Sequence, residues 1–397
     1  DDTANYSDNP AYEGSPGASG CGSTSSYLNG NDVVYAYTST FTGAIKIDLT
    51  PTATYSGIFA YASCADIGVN CIGGVANDGT TLRTFNLNVQ NGTTYYLVIS
   101  TWATPQTTAY TLNISKVCPA GVWVGTTSNF NTASNWADNM VPEACTAVTV
   151  NVAAPMTISS DVTVASITLG ASAVVTVGST GVLNVGTISV ATGGNLTINS
   201  DGVVLQSSTA ANTAVATVKR NSTPLFRQDY TLWSSPVTGQ NLRAFSTQTL
   251  FNRFSSYNTA TNAYTQEIVT VADMDAKTFT SAKGYLIRMP NDWVELPSSN
   301  PAQPYSGSFT GTLNNGTITI PLLNETVDPG TPRKLNLVGN PYPSPISIAA
   351  FFAANTNIDQ TLYFLRKKGT ANLANTASSY AVLNGLGFTS ADTDING

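Results

Sequence analysis

From Asn31 onward the chain alternates short apolar runs with polar turns. NDVVYAYTS, GAIKIDLTP, YSGIFAYAS, TLRTFNLNV, TTYYLVIST and TAYTLNISK are rich in Val, Ile, Tyr, Phe and Thr, and several alternate apolar with polar positions. A period of two marks a strand with one buried face. Phe85, Leu87 and Val89 keep strict alternation, and NDG and QNG supply turns between runs. The pattern predicts an antiparallel sandwich over residues 31–117. The residues before it, 1–30, carry Gly, Ser, Asn and Asp with almost no periodicity, and are expected to form an irregular, solvated N-terminal arm.

A different period comes next. ITLGASAVVTVGSTGVLNVGT from Ile167 lines up with ISVATGGNLTINSDGVVLQSS from Ile188, a repeat of 21 residues. Ile167 matches Ile188, Leu169 matches Val190, Val175 matches Leu196, Val177 matches Ile198 and Gly181 matches Gly202. Such a repeat suits a short parallel β-helix over 120–210, with three short strands to a rung and apolar positions stacked inward. So few rungs leave apolar ends that flanking segments must cover. The lead-in VWVGTTSNFNTASNWADNM supplies Trp123, Phe130 and Trp136, which read as a hydrophobic cap over the open end.

From 215 to 397 VATVKRN, YTLWSSP, LFNRFSSYN, KGYLIRMP, YSGSFTGTLNNGTITIPL, KLNLVGNPYPS and LYFLRKKG read as strands with proline or Gly-Asn stops. One short helix is expected, in SPISIAAFFAAN at 344–355. Leu232, Trp233 and Pro236 are echoed 105 residues later by Leu337, Val338 and Pro341. Prolines lock φ and Asn340 can close an Asx turn, so these twin segments read as architectural corners, not catalytic loops. The second corner is followed by no counterpart of KGYLIRMP. An incomplete C-terminal module is therefore expected, with an open sheet edge near residue 390 available for homo-association. The fold class is all-β: a jelly-roll-like sandwich, a short parallel β-helix-like repeat and a C-terminal β-rich module.

Composition narrows the chemistry. Only 10% of the 397 residues are charged, with 16 Lys plus Arg against 23 Asp plus Glu, a net charge of -7 and no histidine. Without a basic cluster, nucleic acid is not an expected partner. Without histidine, the Ser-His-Asp and Cys-His arrangements are unavailable. Paired aspartates remain open in principle, but no segment presents a recognisable pair, so a noncatalytic protein is expected. No run has the length of a membrane span, and direct membrane insertion is not expected. Among the five cysteines, Cys64 and Cys71 bracket the step ADIGVN, and Cys118 and Cys145 bracket the entrance to the next module. Two local disulfides are expected, with Cys21 left over, and they suit a secreted or outer-surface location.

The segments from NDVVYAYTST through RTFNLNVQNGTTYYLVISTW to AYTLNIS resemble the bacterial pre-peptidase C-terminal (PPC) domain. That resemblance implies a jelly-roll-like accessory module beside secreted peptidases or surface proteins. It also implies calcium as a candidate ligand of an acidic N-terminal arm, here through Asp1, Asp2, Asp8 and Glu13. The lead-in with its spaced tryptophans, and then WSSPV, GYLIRMP, FTGTLNNG and LVGNPYPS in that order, resemble secreted Bacteroidota cargo of the type IX secretion system. Asp2-Thr3-Ala4 resembles the short O-glycosylation acceptor of the same group, with Thr3 as acceptor. The function expected is a noncatalytic, adhesin-like segment acting in surface attachment or as a stalk, with a cell-surface or extracellular polymer as partner. The alternative is a carbohydrate-binding accessory region of a larger secreted hydrolase, with Trp102, Trp136 and Trp293 as candidate sugar-stacking residues.

Overall fold

The computed structural model describes residues 1–17, 21, 26–104, 106–295, 300–324, 335–367, 378–384 and 387–389. The chain divides into two units, Asp1–Cys118 and Pro119–Gly397. Both are built almost wholly from strands.

The first unit holds β1 (Val33–Thr38), β2 (Gly43–Pro51), β3 (Ser56–Tyr61), β4 (Gly73–Asn77), β5 (Arg83–Val89), β6 (Thr94–Thr101) and β7 (Tyr110–Lys116). They form two antiparallel sheets, ordered β1-β6-β3-β4 and β5-β2-β7. Between the sheets lie Ile45, Ile47 and Leu49 of β2, Ile58 and Ala60 of β3, and Leu97 and Ile99 of β6. The expected alternation is met in β2, while every residue of β3 and the last five of β6 are buried. Phe59 and Tyr61 of β3, with Val98 of β6, form a second apolar cluster together with Leu28, Ile67, Cys21 and Cys71.

That second cluster changes the reading of the N-terminal arm. The described residues 1–17, 21 and 26–30 are irregular, as expected, but part of them is buried: the outer face of the sheet carries large apolar side chains, and Cys21 and Leu28 of the arm pack on them. Leu28 is fully buried, and the Tyr61 hydroxyl donates to the Pro16 carbonyl at 2.8 Å. At its start, the Asp1 ammonium donates to Tyr110 O at 2.9 Å, and Tyr110 N donates back to Asp1 O at 2.8 Å. The arm belongs to the sandwich unit, not to a separate segment.

In the second unit β8 (Ala147–Val150), β9 (Met156–Ile158), β10 (Asp161–Leu169), β11 (Val174–Val177), β12 (Val182–Val190), β13 (Asn195–Ile198) and β14 (Val203–Gln206) form the repeat. Parallel ladders run β8-β10-β12-β14 on one side and β9-β11-β13 on the other. Ile167 pairs with Ile188, Leu169 with Val190, Val175 with Leu196 and Val177 with Ile198, the register given by the 21-residue alignment. In β10 the buried positions are Val162 and Val164, then Ile167 and Leu169, so the alternation slips by one near Ala165. That slip is a corner: it bends one strand into two straight segments and gives three faces per rung. At the matching corner of the next rung stands Gly186, where a Cβ would run into the Ala165 carbonyl oxygen.

Both ends of this solenoid are covered. At the start Val122 and Asn129 make parallel bridges to Thr149 and Thr157. Trp123, Phe130 and Trp136 are each 1% exposed and pack edge to face, at 5.1 Å for the two tryptophans and 4.9 Å for Phe130 with Trp136. At the far end β15 (Val215–Leu225) adds in parallel to β13, and the sheet continues antiparallel through later strands. One apolar core therefore runs from Trp123 to Leu313. The segments 120–210 and 215–397, expected as separate domains, form one unit because β15 closes the last rung with its own backbone.

The remaining elements are β16 (Tyr230–Trp233), β17 (Val237–Thr238), α1 (Leu242–Phe245), β18 (Phe254–Asn258), β19 (Ala263–Gln266), α2 (Val271–Ala276), β20 (Tyr285–Arg288), β21 (Gln303–Leu313), α3 (Ile348–Ala354), β22 (Leu362–Lys367), β23 (Ser378–Asn384) and β24 (Gly387–Thr389). β17 and β21 extend the β15 sheet, β16-β20-β18-β19 make a second sheet, and β22-β23-β24 a third. Among the described residues three short α-helices replace the one expected. The signal for α2 is legible in hindsight: Thr270 and Asp273 form a capping box. α3 lies within the expected segment and starts at the Ser347 cap, two residues after Pro345. Leu335–Asn340 is not a ladder strand, and its pairing is a single bridge from Val338 to Lys283. The expected open edge near residue 390 falls on 390–397, outside the described residues.

Candidate binding surface

The twin corners meet. Asn314, from the NNG turn after β21, donates through Nδ2 to Pro341 O at 2.9 Å and to Ser235 O at 3.4 Å, and its backbone N donates to Pro236 O at 3.1 Å. Gly339 lies so close to Ser234 that a Cβ would collide with it. Asn340 closes the expected turn, accepting from Tyr342 N at 2.9 Å and donating to Ser344 O at 2.6 Å. One amide thus ties three proline-rich or Asn-Gly motifs into a knot, and the polar groups of these motifs hold backbone. The buried Asn135 of the lead-in works in the same way, through four bonds to Thr126, Thr127 and Asn129.

A different arrangement stands on the sandwich unit. Trp102, just past the end of β6, is 39% exposed and Tyr55 is 40% exposed, and both meet edge to face, ring centres 6.0 Å apart. Tyr27 of the arm also meets Trp102 edge to face, ring centres 5.5 Å apart. The rings stand at 84° and 63° to one another, so they form an angular notch instead of a coplanar platform. Tyr55 has φ of 51°, a left-handed backbone that costs a bulky residue roughly 1 kcal/mol or more. Trp102 N donates to Tyr55 O at 2.8 Å and holds that turn.

Beneath the turn lies Arg83, with no exposed surface. Its guanidinium makes five bonds, all to neutral oxygens: Ser56 O at 3.0 Å, Ser56 Oγ at 3.1 Å, Asn77 O at 3.0 Å, Gly79 O at 2.6 Å, and Thr81 O. Burial lowers its pKa, which the planar donor fork offsets by filling its hydrogen bonds. The loop 77–81 is thereby held beside Ser56, the residue after Tyr55. Burial, and then the Asp78 carboxylate of that loop, raise the Tyr27 pKa. Neutral at physiological pH, Tyr27 can both donate and accept a hydrogen bond. An exposed aromatic notch with a hydroxyl and a carboxylate at its rim can take a ligand that has apolar faces and hydroxyl edges.

Of the other candidate residues, Trp136 belongs to the buried cap, its Nε1 donating to Phe130 O at 2.8 Å, and it cannot stack on a sugar. Trp293 is half-buried, donates to Leu225 O at 3.1 Å and packs on Tyr305. Thr3 has no exposed surface and its Oγ1 accepts from Thr108 N at 2.8 Å, because the arm is docked; its hydroxyl is closed to a glycosylating enzyme in the fold.

Asp1, Asp2, Asp8 and Glu13 do not converge on a calcium site. Asp1 Oδ2 accepts from the hydroxyls of Tyr6 and Tyr35 at 2.9 and 3.0 Å, Asp2 caps the first turn through Ala4 N, and Glu13 is exposed. Among the described residues no three acidic, Cys or His side chains stand together as a metal site. Asp8 instead faces Asp32, whose pKa is pushed up to about 6, chiefly by burial.

The cysteines are partly re-paired. Cys71 is bonded to Cys21, with Cα atoms 6.0 Å apart, and Cys64 is an exposed free thiol. The expected Cys64–Cys71 bridge is not formed: Cys71 is buried under the arm that brings Cys21 to it, and Cys64 sits in the exposed short turn Cys64–Asp66. Cys118 and Cys145 are both disulfide-bonded, in keeping with the second expected bridge.

No curated protein and no solved structure matches this sequence. A family model described as Domain of unknown function (DUF8693) matches residues 122–396, from the tryptophan lead-in to the end of the second unit, and the chain belongs to that family.

Proposed function

We propose that this chain is a noncatalytic, adhesin-like segment of a secreted or cell-surface protein, and that it attaches to an extracellular glycan through the notch formed by Tyr27, Tyr55 and Trp102. The observation that carries the reading is that notch: three aromatic rings at a surface, one on a strained turn, over a loop organised by the buried Arg83. Aromatic rings take the CH faces of a sugar, while the tyrosine hydroxyls and Asp78 meet its hydroxyl edges. Two further observations support the compartment. The Cys21–Cys71 disulfide suits an oxidising environment, and the sequence resembles secreted accessory modules and type IX cargo.

A glycan array probed with the full chain and with Trp102→Ala tests this. Sub-millimolar binding to one glycan class should fall at least about tenfold in the variant while its fold is unchanged. A folded chain that binds no glycan, or a Trp102→Ala variant that binds as well as the parent, sinks the proposal.

A further inference from the structure

We propose that Cys64 is the attacking thiol of an internal disulfide exchange, which moves the bond from Cys21–Cys71 to Cys64–Cys71 and unfastens the N-terminal arm. Cys64 is an exposed free thiol, whereas Cys71, bonded to Cys21, is fully buried. Both lie in the loop of one hairpin. β3 and β4 pair as far as Ala60 with Gly73, and Ile72 N donates to Ala60 O at 2.8 Å, which closes the loop at its base. Inside it, Val69 N and Asn70 N both donate to Asp66 O at 2.9 Å, so the loop folds back on itself. A thiol tethered through so short a loop meets its target at a far higher effective concentration than one on another chain.

The side chains converge on the same place. The Cys64 thiol is hydrogen-bonded with the Tyr96 hydroxyl, and Tyr96 packs against the apolar cluster that contains Cys21 and Cys71. Ile67, between the two cysteines of the loop, is buried in that cluster. The free thiol thus stands at the edge of the cluster that holds the bond. The arm also rests on this loop by close backbone approach. A Cβ on Gly17 would stand 2.5 Å from Val69 O, and one on Gly68 would stand 3.3 Å from Tyr12 O. The Cys21–Cys71 bond is the covalent fastening of the arm to the loop beneath it. The exchange balances without an oxidant or reductant. The Cys64 thiolate attacks Cys71 Sγ, the Cys64–Cys71 bond forms as the Cys21–Cys71 bond breaks, and Cys21 leaves as a thiolate that takes up the proton Cys64 gave up. Because Cys71 is buried, attack follows a local opening of the arm, and the new bond then traps the opened state. An effect on glycan binding through Tyr27 of the arm would rest on the function proposed above; the exchange itself does not.

The test uses the full folded chain without reductant, held at about pH 8.5, near the ordinary thiol pKa, then quenched in acid and alkylated with a maleimide. Peptide mapping by mass spectrometry reads which thiol carries the label. At the start the label should sit on Cys64. With time it should move to Cys21 while a Cys64–Cys71 peptide accumulates, at a rate independent of protein concentration. Proteolysis within the arm should quicken in step, by at least about tenfold. Cys64→Ser should keep the label off Cys21 and the arm protected, with the unfolding midpoint of the parent. No glycan enters the measurement, so its outcome is separate from that of the notch. A label that stays on Cys64 overturns the proposal, as does an exchange rate that scales with protein concentration. A Cys21–Cys64 peptide in place of Cys64–Cys71, or an arm still protected after exchange, overturns it too.

Discussion

The solenoid and the N-terminal arm meet the same physical requirement by opposite routes. Each rung of the solenoid buries its apolar face against a neighbour 21 residues away in sequence, and Val175 stacks on Leu196 as the repeat demands. The arm covers an apolar sheet face with residues that have no periodicity, through contacts such as Tyr61 to Pro16, 45 residues apart. Repetition makes burial readable along the chain. A cover made once, from loop residues, is readable only from the face that needs it.

The largest effect expected from breaking this contrast is in the arm. Its closure rests on the Cys21–Cys71 bridge, which spans 50 residues and on loop entropy contributes about 4 kcal/mol. Cys21→Ser combined with Cys64→Ser, which prevents re-pairing through Cys64, should lower the denaturant midpoint of the sandwich unit by that order. It should also speed proteolysis within the arm, while the solenoid transition stays in place. Unchanged protection of the arm would mean that its packing alone holds it.

Next comes the solenoid. Leu196→Ala removes a residue 1% exposed at the centre of the stacked rungs and should cost about 3 kcal/mol, read as a loss in the second unit's unfolding transition only. A loss below about 1 kcal/mol would show that a rung tolerates a hole as a loop does.

A smaller effect is tied to pH. Asp32 accepts from Asn9 N at 3.1 Å where the arm crosses the sandwich, and its folded pKa, about 6, exceeds the ordinary carboxylate value. Between about pH 4 and 6 the folded unit therefore holds a proton that the unfolded chain has released, so stability is greatest at the acid end and falls as pH rises through 6. The fall should be about 2 kcal/mol in the sandwich transition, and Asp32→Asn should flatten it. A parent profile flat between pH 4 and 7 would contradict the burial argument.

The smallest expected effect on stability is at the notch. Trp102→Ala, at a residue 39% exposed, should change the unfolding midpoint by less than about 1 kcal/mol, which separates its role in binding from any role in folding.

Taken alone, the sequence determined most strands of the sandwich and the solenoid register, because periods of 2 and 21 are local statements about which side chains face inward, whereas in the second unit KLNLVGN reads as a strand and makes only one bridge. It also determined the corner role of Pro341 and Asn340, since φ restriction and Asx turns act within a few residues. Tertiary structure alone decided that the arm packs on the outer face of β3, that Cys71 bonds Cys21 and not Cys64, that Thr3 is closed, and that β15 fuses the repeat with the C-terminal strands. It alone brought Tyr27, Tyr55 and Trp102 to one place. The reason is common to all of these. Each depends on two segments distant in sequence coming into contact, and which distant pairs meet is set by the whole packing of the sheets, a quantity that no local pattern carries.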